Sequence, residues 1–166
     1  LNQTMAASAR SGYYGALMFL DLDNFKPLND QHGHDVGDLL LIEVAERLKG
    51  CVREMDTVAR FGGDEFVVMI SELSLEKQES LAEAGIIAEK IRRQLAEPYL
   101  LTVKRRDRPD EAVEHQCTAS IGVVLFVNHE AGPDKILKWA DAAMYRAKES
   151  GRNRVCVVDL KRDDLS

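Results

Sequence analysis

The chain has 166 residues, 45% of them hydrophobic, with four prolines, which is the size and apolar share of one compact domain able to bury a core. Its formal net charge of −6 excludes general nucleic-acid binding, which needs a basic surface, so any anionic ligand must be met by a local site. Three cysteines, Cys51, Cys117 and Cys156, lie far apart without Cys-x-x-Cys spacing, and no apolar run approaches the roughly 20 residues that cross a bilayer; reduced thiols, a cytoplasmic setting and no membrane contact for this domain are expected.

The sequence begins without methionine in a helix-like stretch over 1–10, as if cut from a longer protein that could carry a sensor or a membrane anchor. Residues 13–22 read as a buried strand and 24–31 as a short helix ending at Gly33. A long helix follows over 35–54, with Val36, Leu40, Val44, Leu48 and Val52 forming one buried stripe. Short strands at 57–61 and 65–71 are joined through Gly62-Gly63 as a hairpin. A further helix spans 75–96, with Leu81, Ala84, Ala88, Ile91 and Leu95 toward the core, and Pro98 ends it.

Strands are predicted at 99–104 and 115–126, flanking a polar stretch at 105–114 that reads as a mobile loop. Its cluster of Lys104, Arg105, Arg106 and Arg108 reads as solvated. A last helix over 134–149 turns Ile136, Ala140, Ala143, Met144 and Ala147 inward and stops at Gly151, and 155–159 is the closing strand. The order strand, two helices, hairpin, helix, strands, helix, strand predicts an α+β fold, a mostly antiparallel sheet with helices packed on it.

Chemistry concentrates in two places. Arg60-Phe61-Gly62-Gly63-Asp64-Glu65-Phe66 sets two glycines directly before two adjacent carboxylates between apolar runs. Glycine allows a tight turn and close ligand approach, and paired acids offer the hard oxygens that magnesium takes. Earlier, Phe19-Leu20-Asp21-Leu22-Asp23-Asn24-Phe25-Lys26 is an apolar run ending in acids and a lysine. Strand alternation puts Asp21 and Asp23 on one side and leaves the Leu22 carbonyl free. If the two strands are neighbours, Asp21, Asp64 and Glu65 converge on a cation-sized space; the alternative is two sets of solvated acids at strand ends.

These segments, with Asn29-Asp30, Gly33-His34, Gly37-Asp38, Ser120-Ile121-Gly122, Ala140-Asp141, Tyr145, Ala147-Lys148 and Gly151-Arg152-Asn153, make nearly the whole chain resemble the GGDEF family, the diguanylate cyclases that join two GTP into cyclic di-GMP. The resemblance implies a palm-like, ferredoxin-related nucleotidyl cyclase fold over 13–160, with 1–12 the tail of a linker helix and 161–166 a terminal tail. It implies Mg²⁺ or Mn²⁺ held by Asp21, the Leu22 carbonyl and Asp64, with Glu65 in or beside the same shell. Asp64 would be the base for the 3′-hydroxyl, Lys26 would reach the triphosphate, Gly62 and Gly63 would bind substrate, and Lys148 and Arg152, four apart where the last helix ends and so able to point the same way, would contact the terminal phosphates.

For the base, a carboxylate can accept from both N1–H and N2–H of guanine, which makes Asp38 the reader, with Asn29 completing recognition and His34 near the nucleotide. Without the family, Asn29 is a helix-end residue and Asp38 a surface acid. Arg53-x-x-Asp56 has the family's spacing for a product-inhibition site binding cyclic di-GMP, against the rival reading of a local ion pair. Each GTP must attack the other, so the resemblance implies a twofold homodimer, with no nucleic acid as partner. The competing function is a module that has lost turnover and acts as a GTP or cyclic di-GMP receptor for a neighbouring domain.

Overall fold

The computed structural model describes residues 1–128 and 131–158. In chain order it contains α1 (Asn2–Ser11), β1 (Gly15–Leu22), α2 (Phe25–His32), α3 (His34–Cys51), β2 (Thr57–Gly62), β3 (Glu65–Ile70), α4 (Lys77–Ala96), β4 (Tyr99–Val103), β5 (Glu111–His115), β6 (Ala119–Phe126), α5 (Pro133–Glu149) and β7 (Arg154–Val158). Five strands form one sheet in the order β2-β3-β1-β6-β7, antiparallel except for the β6–β7 pair, while β4 and β5 form a separate hairpin.

The central strands β1 and β6 are buried on both faces, which is why their sequences run apolar instead of alternating. On one face Met18, Leu20, Val68 and Ile121 pack with Leu40, Val44, Ala88 and Ile91 of α3 and α4. On the other, Leu17, Phe19, Val67 and Val124 pack with Ala140, Ala143 and Met144 of α5 and Met5 of α1. Gly122 makes the second face possible: a Cβ there would stand 2.1 Å from Ala140 O and 2.3 Å from Met144 N, so only glycine lets the α5 backbone seat on β6. That close seat sets where the C-terminal end of α5 arrives.

Three sequence expectations change. The stretch expected to be a mobile loop at 105–114 runs into β5, paired with β4 from Tyr99↔His115 to Val103↔Glu111; its mixed run Glu111-Ala112-Val113-Glu114-His115 becomes a strand only because β4 supplies partners. The strand expected from 115 therefore begins at Ala119. Helix α3 ends at Cys51, and Val52 is extended, although its side chain still packs on the core. Residue 159 of the expected closing strand and the tail at 161–166 lie outside the described residues.

Candidate active site

The end of β1 and the β2–β3 hairpin meet at one corner of the sheet. Asp21 pairs directly across from Glu65, and Leu22 N–H donates to Asp64 O at 3.2 Å, so both acidic segments share a corner. Gly62 pairs with Glu65, leaving Gly63 and Asp64 as the hairpin turn, with Gly63 at φ 51. Arg60 Nε donates to Gly63 O at 2.9 Å, and Phe61 packs edge-on against Phe19 with ring centroids 5.2 Å apart, which together pin the turn to the sheet. Beyond Gly62 and Gly63 lies open space, where a Cβ would meet nothing within 4 Å.

Charge is crowded here. Burial pushes the Asp21 carboxyl up to about 6; Lys148 pulls against that, and Asp64 adds to the rise. Burial also raises Glu65, with the charges of Asp141 and then Asp64 adding to it. Among the described residues no three His, Cys, Asp or Glu side chains close on one point, so the protein alone does not build a full metal cage.

Asp23 is fully buried and fully employed. Its carboxylate accepts from Thr118 Oγ1 at 2.6 Å, Ser120 Oγ at 2.8 Å and the Asn153 backbone N–H at 3.1 Å. It ties the end of β1 to β6 and to the α5–β7 turn, where Arg152 and Asn153 both adopt left-handed φ, a strained state held by its surroundings. Lys148 Nζ stands 3.1 Å from Asp21 Oδ1 and 3.8 Å from Asp23 Oδ1, confirming that both acids face one side. The ammonium approaches Asp21 outside hydrogen-bond alignment, so Asp21 Oδ1 is buried with ionic company and no aligned donor. Sequence reading gave Asp23 and Asp141 no role at the site; the paired spacing of Asp21 and Asp23 was the available signal for the first.

A model of the diguanylate cyclase GGDEF domain matches residues 1–154. The chain belongs to the GGDEF family. It is 42% identical over 159 residues to the bifunctional diguanylate cyclase/cyclic di-GMP phosphodiesterase MucR of Pseudomonas aeruginosa, covering 96% of this chain and 21% of MucR. The chain thus spans about a fifth of that relative's length. Its fold matches the crystal structure of the GGDEF domain of YfiN (TpbB) from Pseudomonas aeruginosa with a TM-score of 0.82 at 34% identity, covering 96% of this chain and 91% of the other. It also matches the GGDEF domain of DgcB from Caulobacter crescentus in complex with c-di-GMP, with a TM-score of 0.76 at 29% identity, 95% of this chain and 85% of the other.

In this GGDEF domain the remaining expected residues divide into groups. Lys26 is exposed in the first turn of α2, and His34 is the exposed first residue of α3. Asp38 is exposed on α3 and lines a cleft of about 520 Å³ together with Leu41 and Ile42 of α3 and Val58, Arg60 and Phe66 of the hairpin. Asn29 lies half-buried in the last turn of α2, and its Oδ1 is buried with no partner. Arg152 does not extend the helical stripe of Lys148: α5 ends at Glu149, and Arg152 sits in the turn beyond.

Arg53 and Asp56 make the ion pair that the rival reading foresaw. The guanidinium reaches Asp56 Oδ2 and Oδ1, each at 3.2 Å, and also Ser71 O, while Ser71 N–H donates to Asp56 Oδ1 at 3.0 Å. Asp56 is 1% exposed and Arg53 48%, so the arginine keeps a free flank over a cleft of about 430 Å³ that both residues line.

Among the described residues, no helix is long and apolar enough to cross a membrane.

Proposed function

We propose that this domain condenses two GTP molecules into cyclic di-GMP with release of two pyrophosphates, each half of a twofold homodimer holding one GTP. The observation that carries this reading is the Asp21 carboxylate oxygen, buried without an aligned donor beside Asp64 and within reach of Lys148. Protein acids are rarely buried in that condition unless something else completes them. The donor set fits Mg²⁺ or Mn²⁺: Asp21, the Leu22 carbonyl and Asp64 supply hard oxygens with Glu65 alongside, and magnesium characteristically takes one or two carboxylates and fills its other positions with phosphate and water.

A bound divalent cation would neutralise phosphate charge and acidify the attacking hydroxyl. The chain's own residues do the rest. Lys148 and Arg152 take the terminal phosphates, Lys26 stabilises charge developing on the triphosphate, and the bare backbone of Gly62 and Gly63 lets phosphate oxygens come close. Asp38, Asn29 and His34 hold the guanine. Asp64 accepts the proton of the 3′-hydroxyl as its oxygen bonds to the α-phosphorus of the facing GTP; the bond from that phosphorus to the β-phosphate bridging oxygen breaks, and pyrophosphate leaves. The same exchange in the other direction closes the ring, which is why two copies must meet. In this reading the cyclase unit covers 13–160 between a linker helix at 1–12 and a tail at 161–166, works in the cytoplasm where GTP is supplied, and needs no nucleic acid.

Incubation with GTP and Mg²⁺ should yield cyclic di-GMP at a rate per subunit that rises with protein concentration. Asp64→Ala should lower that rate by about 10²- to 10⁴-fold. Equal product from the variant would remove Asp64 from its role.

A second reading rests on the free flank of Arg53: product bound over Arg53 and Asp56 inhibits the cyclase or makes the domain a cyclic di-GMP receptor for a neighbouring domain. Calorimetry separates the two, since tight product binding without synthesis, even under forced dimerisation, favours the receptor.

A further inference from the structure

Helices α2 and α3 are joined by Gly33 alone and pack closely, and at their contact two unusual features coincide. Gly37 is buried in the first turns of α3, although glycine weakens a helix relative to alanine. A Cβ on Gly37 would stand 1.8 Å from Asn29 Oδ1, 2.9 Å from its Cγ and 3.3 Å from its Nδ2. The amide of Asn29 therefore occupies the very volume that any side chain at position 37 would fill. Its oxygen is the end driven against α3, buried and without a hydrogen-bond donor. Nδ2 is the end farther from that point, and Asp38 is the next residue along α3. A helix-breaking residue and an unpaired buried oxygen are tolerated together, and neither serves the stability of the helix pair.

We infer that Gly37 is a specificity-determining positioning residue: by lacking a side chain it seats the Asn29 amide between α2 and α3 and presents its N–H donors, next to the Asp38 carboxylate, to a guanine base. This rests on the proposed use of GTP and adds the device that orients one of its readers. A donor beside an acceptor is the complement of the guanine edge, where O6 accepts and N1–H and N2–H donate; adenine offers its amino donor where O6 would be. Gly37 itself touches no ligand and acts through Asn29.

The experiment compares wild type, Gly37→Ala, Asn29→Ala and the double variant by GTP and ATP binding, KM, kcat and Tm. Gly37→Ala should hold or raise Tm, because the obstructing atom is the end of a side chain that can rotate away. It should weaken GTP binding and raise KM by about tenfold, the worth of one hydrogen bond to the base, with little change in kcat. Preference for GTP over ATP should fall in parallel. In the double variant the effect should match that of Asn29→Ala alone, since one residue works through the other. Should Gly37→Ala lower Tm, adding Asn29→Ala must restore it; a loss that persists shows that the space serves helix packing and overturns the inference. Unchanged GTP binding in Gly37→Ala, or additive effects in the double variant, also overturns it. Failure of wild type to prefer GTP over ATP would instead sink the proposed function.

Discussion

The corner at the end of β1 and the turn after α3 each bury an aspartate beside a basic residue, and they treat it in opposite ways. After α3, Asp56 is saturated: Arg53 forks onto it and the Ser71 backbone donates to it. At the end of β1 the contrast recurs within three residues, where Asp23 accepts three hydrogen bonds while Asp21, on the same face, keeps an oxygen with no aligned donor. A saturated buried acid is architecture. The Asp21 oxygen, with only the Lys148 ammonium beside it, has room for the divalent cation proposed above.

Removing each acid should divide them most sharply. Asp23→Asn cannot satisfy the fixed Asn153 N–H and the two hydroxyls as before, and should lower stability by about 2–4 kcal/mol. That corresponds to a Tm roughly 10 °C lower in a thermal melt. Asp21→Asn removes an acid whose ionised form burial disfavours, and should raise stability by about 1 kcal/mol while eliminating activity. Equal losses from the two substitutions would erase the distinction.

Acidity sharpens the same contrast. Asp21 is raised from 3.8 to about 6, so the folded protein holds this proton more tightly than the unfolded chain does. Its contribution to metal-free stability is therefore present below 3.8 and lost as pH rises through about 6. Metal binding needs the ionised acid and runs the other way. Mn²⁺ affinity, followed by calorimetry without nucleotide, should be flat above about 6 and fall up to about tenfold per pH unit below it. Affinity that ignores pH across this window would mean Asp21 is not displaced from its proton by the ion.

The smallest effect on the fold belongs to Arg53. Because half of its side chain is exposed, Arg53→Ala should reduce stability by under about 1 kcal/mol. It should nevertheless raise the concentration of cyclic di-GMP needed for half-inhibition by tenfold or more, the worth of a lost charged contact. Inhibition unchanged in that variant would leave Arg53 and Asp56 as architecture only.

Much of this was legible along the chain. Helical spacing located α3, α4 and α5 to within a few residues, because each buries one stripe and neighbouring positions report on each other. Alternation at the end of β1 already put Asp21 and Asp23 on one side. β5 was not legible: Glu111-Ala112-Val113-Glu114-His115 carries no apolar face long enough to announce a strand, and only the partner β4 makes it one. Nor was the geometry of Arg152 legible, since four-residue spacing implies a shared stripe only while the helix lasts.

Local residue order by itself determined most of the elements, the family and the chemical types on offer, because periodicity, glycine turns and paired acids are properties of neighbours in sequence. Tertiary structure alone decided which acid is saturated and which is left wanting, that Lys148 reaches back across the sheet to Asp21, and that the Asn29 amide fills the void at Gly37. Those outcomes depend on how closely distant segments approach, and such distances are set by the packing of whole helices on a sheet.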